Sequence, residues 1–116
     1  MAVIRKASLD AHAAAREVGE DSPARSAARA CGQAVATAHV STHSRGAALY
    51  AQQAVWRAAD PADAGAAAAT ERDWQYRHLL ELKDSEESRK RRRLQSSTVE
   101  GFTQTLKSRE YQFSKF

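Results

Sequence analysis

Alanine fills 25 of the first 69 positions of this 116-residue chain and none of the last 47. Alanine is the strongest helix former, so the first part of the chain is committed to helices, and its abrupt end at Ala69 divides the chain. What alanine does not supply is bulk. Leu, Ile, Val and Phe together number 17, about 15% of the chain and below the ~20% level that flags disorder when net charge is also high. The net charge here is only +4. The expectation is therefore an all-α protein, a small helical bundle of about four alanine-rich helices with a charged, partly irregular C-terminal tail. A domain of this size buries about 65% of its unfolded surface, and alanine adds little to that. Support from a partner chain or a homo-oligomer suits so thin a core.

Other features narrow the class. Cys31 is the sole cysteine, so an intrachain disulfide is ruled out and a cytoplasmic location fits. The uninterrupted apolar runs, Ala66 to Ala69 among them, extend no further than Ala47 to Ala51, far short of the roughly 20 residues that span a bilayer. The N-terminus, MAVIRKASLD, lacks the apolar segment of a secretory signal. No phosphate-binding loop, dinucleotide fingerprint, HExxH or GxSxG motif occurs. The expectation is a protein without catalytic residues, cofactor or metal.

Charge and pattern separate residues 1–83, with a net charge of +1, from a tail over residues 84–116 with a net charge of +3. Four helices are expected in the first part. The first covers about residues 3–18, with Ile4, Ala7, Ala11, Ala14, Ala15 and Val18 on its inner face and Gly19 as its stop. The second opens on Ser22 and Pro23, a capping residue followed by proline at the first helical position, and carries the stripe Ala24, Ala27, Ala28, Cys31, Val35 and Ala38. A break is expected within AHVSTHSRG, with Ser41 or Thr42 as the next cap. The third helix runs to about Ala59, and its apolar residues point several ways, which suits a central element. The fourth opens on Asp60 and Pro61 and reaches about Lys83. A linker is expected at Gln95 to Ser97, then a short helix from Thr98 carrying Val99, Phe102 and Leu106. The end, with Tyr111, Phe113 and Phe116, reads equally as strand, docked segment or disorder.

Four groups of residues carry chemistry. His39 and His43 stand four apart, a metal-ligand spacing if the helix is continuous there. A metal would draw its other ligands from His12, Cys31, Glu71 or His78, and the bland alternative is a hydrogen-bonded helix junction. Glu71 interrupts an apolar face and needs a partner if buried, which His39, His43 or Arg45 could supply. Together with Trp74 and Gln75, these residues form a candidate polar binding cluster where the third and fourth helices meet, or else a structural ion-pair lock. Trp56 and Trp74 read as core, with an exposed binding aromatic as the alternative. Arg89, Lys90, Arg91, Arg92 and Arg93 form a basic run that could bind nucleic acid through phosphates. The preceding Asp84, Glu86 and Glu87 weaken its field, no aromatic is interleaved for base stacking, and a solvated helix face is the plain alternative.

Three blocks, RKASLDAHAAARE (Arg5 to Glu17), ARACGQAVATAHVSTHSRGAALYAQQAV (Ala28 to Val55) and ERDWQ (Glu71 to Gln75), resemble the Imm-5-like putative immunity proteins in order and spacing, over about residues 4–82. The resemblance implies an all-helical bundle whose role is to bind and neutralise a cognate protein toxin by contact, without chemistry of its own. Members of the family carry further helices before the RKASLDAH block, so the chain reads as the C-terminal portion of that domain, and its tail departs from the family pattern. The alternatives from other classes are a nucleic-acid-associated protein using Arg89 to Arg93 and a metal-dependent enzyme around His39 and His43.

Overall fold

A computed structural model describes the backbone of residues 1–113 and the side chains of residues 1–104 and 107. Helix α1 spans Ala2–Arg16, α2 Pro23–Ala36, α3 His43–Ala58 and α4 Ala64–Phe113. No strand occurs among the described residues, as expected for the all-α class. The chain divides into two compact units, Met1–Arg77 and His78–Phe116.

In the first unit the helix ends follow local chemistry. Ser22 caps α2 by accepting a hydrogen bond from the Arg25 backbone N–H at 3.1 Å, with Pro23 in the first turn. The α2–α3 break is real: α2 ends at Ala36, the Thr37 hydroxyl donates back to the Gln33 carbonyl, and tight backbone bonds carry the chain through Val40. Thr42 stands at the N-cap of α3 without a side-chain capping bond, while the Ser44 hydroxyl donates to the Ser41 carbonyl. Two expected signals work differently. Helix α1 ends at Arg16, ahead of Gly19, and no glycine adopts positive φ. Residues 61–63 form a turn closed by the Asp63 N–H on the Asp60 carbonyl, and α4 begins only at Ala64.

Packing runs in chain order. Helix α2 lies against both α1 and α3, and α3 also meets the first turns of α4 through hydrogen bonds of Gln75. Among the described residues the buried positions are small: Ala15, Ala36, Ala64, Ser8, Ser26 and Gly32. Where α1 crosses α2, the Ser8 hydroxyl donates to the Gly32 carbonyl at 2.9 Å, and a Cβ on Gly32 would lie 2.8 Å from Nε2 of His12. Where α2 crosses α3, Ser26 donates to Gln53 at 3.0 Å, Gly46 abuts the Gln33 side chain, and the Arg29 guanidinium lies over the Tyr50 ring. Each crossing thus combines a glycine that permits close approach with a serine hydroxyl that fixes register.

The buried stripes are turned relative to the alanine pattern. On α1, Ser8, Ala11, His12 and Ala15 face inward and Ile4 is half-buried, while Ala7 and Ala14 are exposed; on α2, Ala28 and Val35 are half-buried while Ala24, Ala27 and Cys31 are exposed; Val18 and Ala38 lie exposed just beyond the ends of the two helices. A hydroxyl or glycine that closes a hydrogen bond across a tight crossing outcompetes an alanine methyl, which has little area to hide. Neither tryptophan is core: Trp56 and Trp74 are each 53% exposed. Helix α3 contributes no fully buried residue and leaves Leu49 65% exposed.

In the second unit, α4 continues as helix through Gln95 to Ser97, where the sequence suggests a linker. The Thr98 and Thr103 hydroxyls donate to the Leu94 and Val99 carbonyls one turn back, so these polar residues are satisfied within the helix. Leu79, Leu80 and Leu82, which follow the alanine-rich part of the chain, are exposed. The helix includes Tyr111 and Phe113, and Phe116 lies outside the described residues.

Candidate functional site

The first turns of α4 place Glu71 and Gln75 one turn apart and half-buried against α3. Gln75 joins the two helices: its amide nitrogen donates to the Ala48 carbonyl at 3.2 Å and to the Glu71 carboxylate at 2.8 Å, and its amide oxygen accepts from Gln52 at 3.2 Å. Among the described residues, the hydrogen-bond partner of Glu71 is therefore Gln75, not His39, His43 or Arg45. Beside this lock lies an open recess of about 540 Å³ lined by Val55, Ala67, Thr70, Glu71 and Trp74. Its walls are mostly apolar, its edge carries one carboxylate, and half of the Trp74 surface is accessible. Such a recess suits an apolar side chain of a partner, with Glu71 to receive a donor.

The structure divides the expected cluster in two. Glu71, Trp74 and Gln75 come together at the α3–α4 contact. His39 and His43 lie at the α2–α3 junction, with ring centroids 5.9 Å apart and tilted by 53°. His39 is in the turn and His43 is the first residue of α3, so one helix face does not carry both. Nδ1 of His43 lies 2.6 Å from the amide oxygen of Gln33, which explains its place as a junction residue. Arg45 is exposed on the first turn of α3. No group of three or more His, Cys, Asp or Glu side chains able to hold a metal occurs among the described residues, so the two histidines gather no third ligand.

Sequence reasoning passed over the polar residues that hold the unit together. Arg57, with its side chain 18% exposed, donates to the Glu20 carbonyl at 3.0 Å and to the Ser26 hydroxyl at 2.9 Å, and meets Asp21 at 3.4 Å. Gln33, Gln52 and Gln53 act similarly. A signal for them existed: Ser26, Arg29, Gln33 and Ala36 follow the same three-and-four spacing as the alanine stripe, one face round.

Residues Arg89 to Arg93 are all exposed on α4. Five consecutive positions at 100° each encircle a helix, so the run forms a collar, and Arg89, Lys90 and Arg93 share one side with Glu86. That geometry dilutes any phosphate-binding row. No helix among the described residues is long and apolar enough to cross a membrane.

Residues 1–82 match the family model described as Imm-5 like putative immunity protein. No curated protein and no solved structure matches the chain.

Proposed function

Because the chain belongs to the Imm-5 like putative immunity protein family, we propose that it neutralises a cognate protein toxin in the cytoplasm by direct contact, with no chemistry of its own. The family match over residues 1–82 carries this reading. The α3–α4 recess supports it, because occlusion requires a surface that receives side chains and requires no reactive group. Trp74 and Glu71 are the contact residues in this proposal, and Gln75 positions them by tying α4 to α3. His39, His43 and Arg45 form a second edge at the start of α3 that a large partner can also reach.

The test is co-expression of the chain with toxin candidates encoded beside its gene. The expected outcome is a complex of fixed stoichiometry and restored growth of the toxin-producing cells. A toxin that keeps full activity in the presence of excess chain, for every neighbouring candidate, refutes the proposal.

A further inference from the structure

The α3–α4 recess holds a charge that the chain does not compensate. Glu71 is half-buried at its edge, and its hydrogen bond comes from the neutral amide of Gln75 at 2.8 Å. Among the described residues, no ion pair joins its carboxylate to a lysine, arginine or histidine. The Thr70 hydroxyl, on the same wall, donates back to the Ala66 carbonyl at 2.9 Å. The other lining residues, Val55, Ala67 and Trp74, bring no charge. A carboxylate drawn partly out of water among neutral groups favours a cation beside it.

Gln52 and Gln75 fix the direction of this arrangement. Gln52 donates to the Gln75 oxygen at 3.2 Å, which turns the Gln75 nitrogen toward the Ala48 carbonyl and Glu71. A reversed Gln75 amide would set its oxygen against a carbonyl and a carboxylate. Both N–H groups of Gln75 are thus used within the chain, and Glu71 is held at Oε1. A carboxylate accepts about four hydrogen bonds, so most of its capacity remains for a ligand.

We propose that the recess receives an arginine side chain of the partner protein. Its guanidinium pairs with Glu71 and lies over the Trp74 ring, and its methylene stem packs along Val55 and Ala67. The inference rests on the toxin-binding reading and names the group that enters this site. An aliphatic side chain would fit the same walls but would cover Glu71 and leave it unpaired, at a cost in free energy. An acidic one would meet a like charge. Lysine would pair with Glu71 as a compact, strongly hydrated point charge. A planar guanidinium instead bonds a carboxylate in a fork and stacks on an indole, so it uses both features of the recess. Gln52 and Gln75 are positioning residues in this scheme.

The experiment titrates the full Trp56→Phe chain, at low salt, with the blocked tripeptide glycyl-arginyl-glycine, and needs no toxin. Trp74 then supplies the sole indole resonance. That resonance should shift saturably, with a dissociation constant on the order of 10 mM or below, the weak range open to one side chain. The citrulline peptide keeps the shape and loses the charge, and should bind about fivefold more weakly or worse. The lysine peptide should bind about threefold more weakly. Glu71→Gln removes the charge yet keeps an acceptor for Gln75. It should weaken the arginine peptide about fivefold or more, with helicity by circular dichroism unchanged. A shift that does not saturate by about 100 mM, equal binding of the citrulline peptide, or a Glu71→Gln chain that binds like the native one each overturns the proposal. The toxin reading is decided separately. A toxin neutralised by the chain while the peptides fail removes the arginine alone, and peptides that bind while no neighbouring toxin is neutralised remove the toxin alone.

Discussion

Gln52 of α3 and Gln75 of α4 meet amide to amide, Gln52 donating to the Gln75 oxygen at 3.2 Å while the Gln75 nitrogen holds the Ala48 carbonyl. This hydrogen-bonded contact lies beside few large side chains, so its loss is expected to be felt. Gln75→Leu should lower unfolding stability by about 1–2 kcal/mol, since it strands an acceptor on α3 and a donor on Gln52. Adding Gln52→Leu to that variant should lower it little further, because both residues act through the same bond. Chemical denaturation followed by circular dichroism checks this, and fully additive losses would show that the contact couples nothing.

Gly32 faces the His12 ring at a distance that leaves no room for a methyl group. In an exposed helix, Gly→Ala would stabilise by about 1 kcal/mol. Here Gly32→Ala should instead destabilise by about 1–3 kcal/mol through overpacking, and His12→Ala in the same chain should recover most of the loss. Thermal melts of the three variants decide the matter, and a stabilised Gly32→Ala would mean that the His12 ring swings aside at little cost.

Arg57 is expected to matter through its hydrogen bonds more than through its charge. Arg57→Ala removes donors from the Glu20 carbonyl and the buried Ser26 hydroxyl and should cost about 1–3 kcal/mol. Arg57→Lys should recover little, because a single ammonium cannot reproduce the planar fork. Asp21 is 99% exposed at the side chain, so Asp21→Asn should stay within about 0.5 kcal/mol of the native chain. Equal losses for Arg57→Ala and Asp21→Asn would reverse this assignment.

The contact role proposed for Trp74 can be tested apart from folding. Trp74→Ala should reduce toxin affinity about thirtyfold, in the range of an interface anchor, while costing less stability than a core tryptophan, for which about 3–5 kcal/mol is usual. Replacing Arg89 to Arg93 by serine should leave toxin affinity within about twofold, since the run lies beyond the family-matched residues. Titration calorimetry with the purified toxin measures both, and an affinity that follows the basic run and ignores Trp74 would relocate the contact surface.

Helix identity was legible because it depends on local chemistry: the alanine content, the Ser22–Pro23 start and the weak formers of Val40 to Thr42 all act over a few residues. The family blocks were legible for the same reason, as fixed strings. Burial was not. With methyl groups on nearly every side of a helix, hydrophobic contrast is too small to orient it, and the decision passes to Ser8, Ser26, Gly32 and Gln33, whose hydrogen bonds and missing atoms act only once two helices meet. The Glu71–Gln75 pairing was half legible: the interrupted apolar face marked Glu71, but the partner was its own neighbour one turn on, not a cation from α3. The linker expected at Gln95 to Ser97 is helix instead, and just beyond it the Thr98 and Thr103 hydroxyls are accommodated by bonding to carbonyls of the preceding turn.

A core of Ala15, Ala36, Ser26 and Gly32 has a calorimetric consequence. Unfolding it brings little hydrocarbon into contact with water, and hydrocarbon hydration is the source of the usual heat-capacity increment of about 12–15 cal/mol/K per residue. The increment for this chain should therefore be well below that norm, and its free energy of unfolding should vary gently with temperature. Such a protein is expected to melt over a broad interval and to lose little on cooling, so a binding partner would meet nearly the same population of folded molecules in the cold as in the warm.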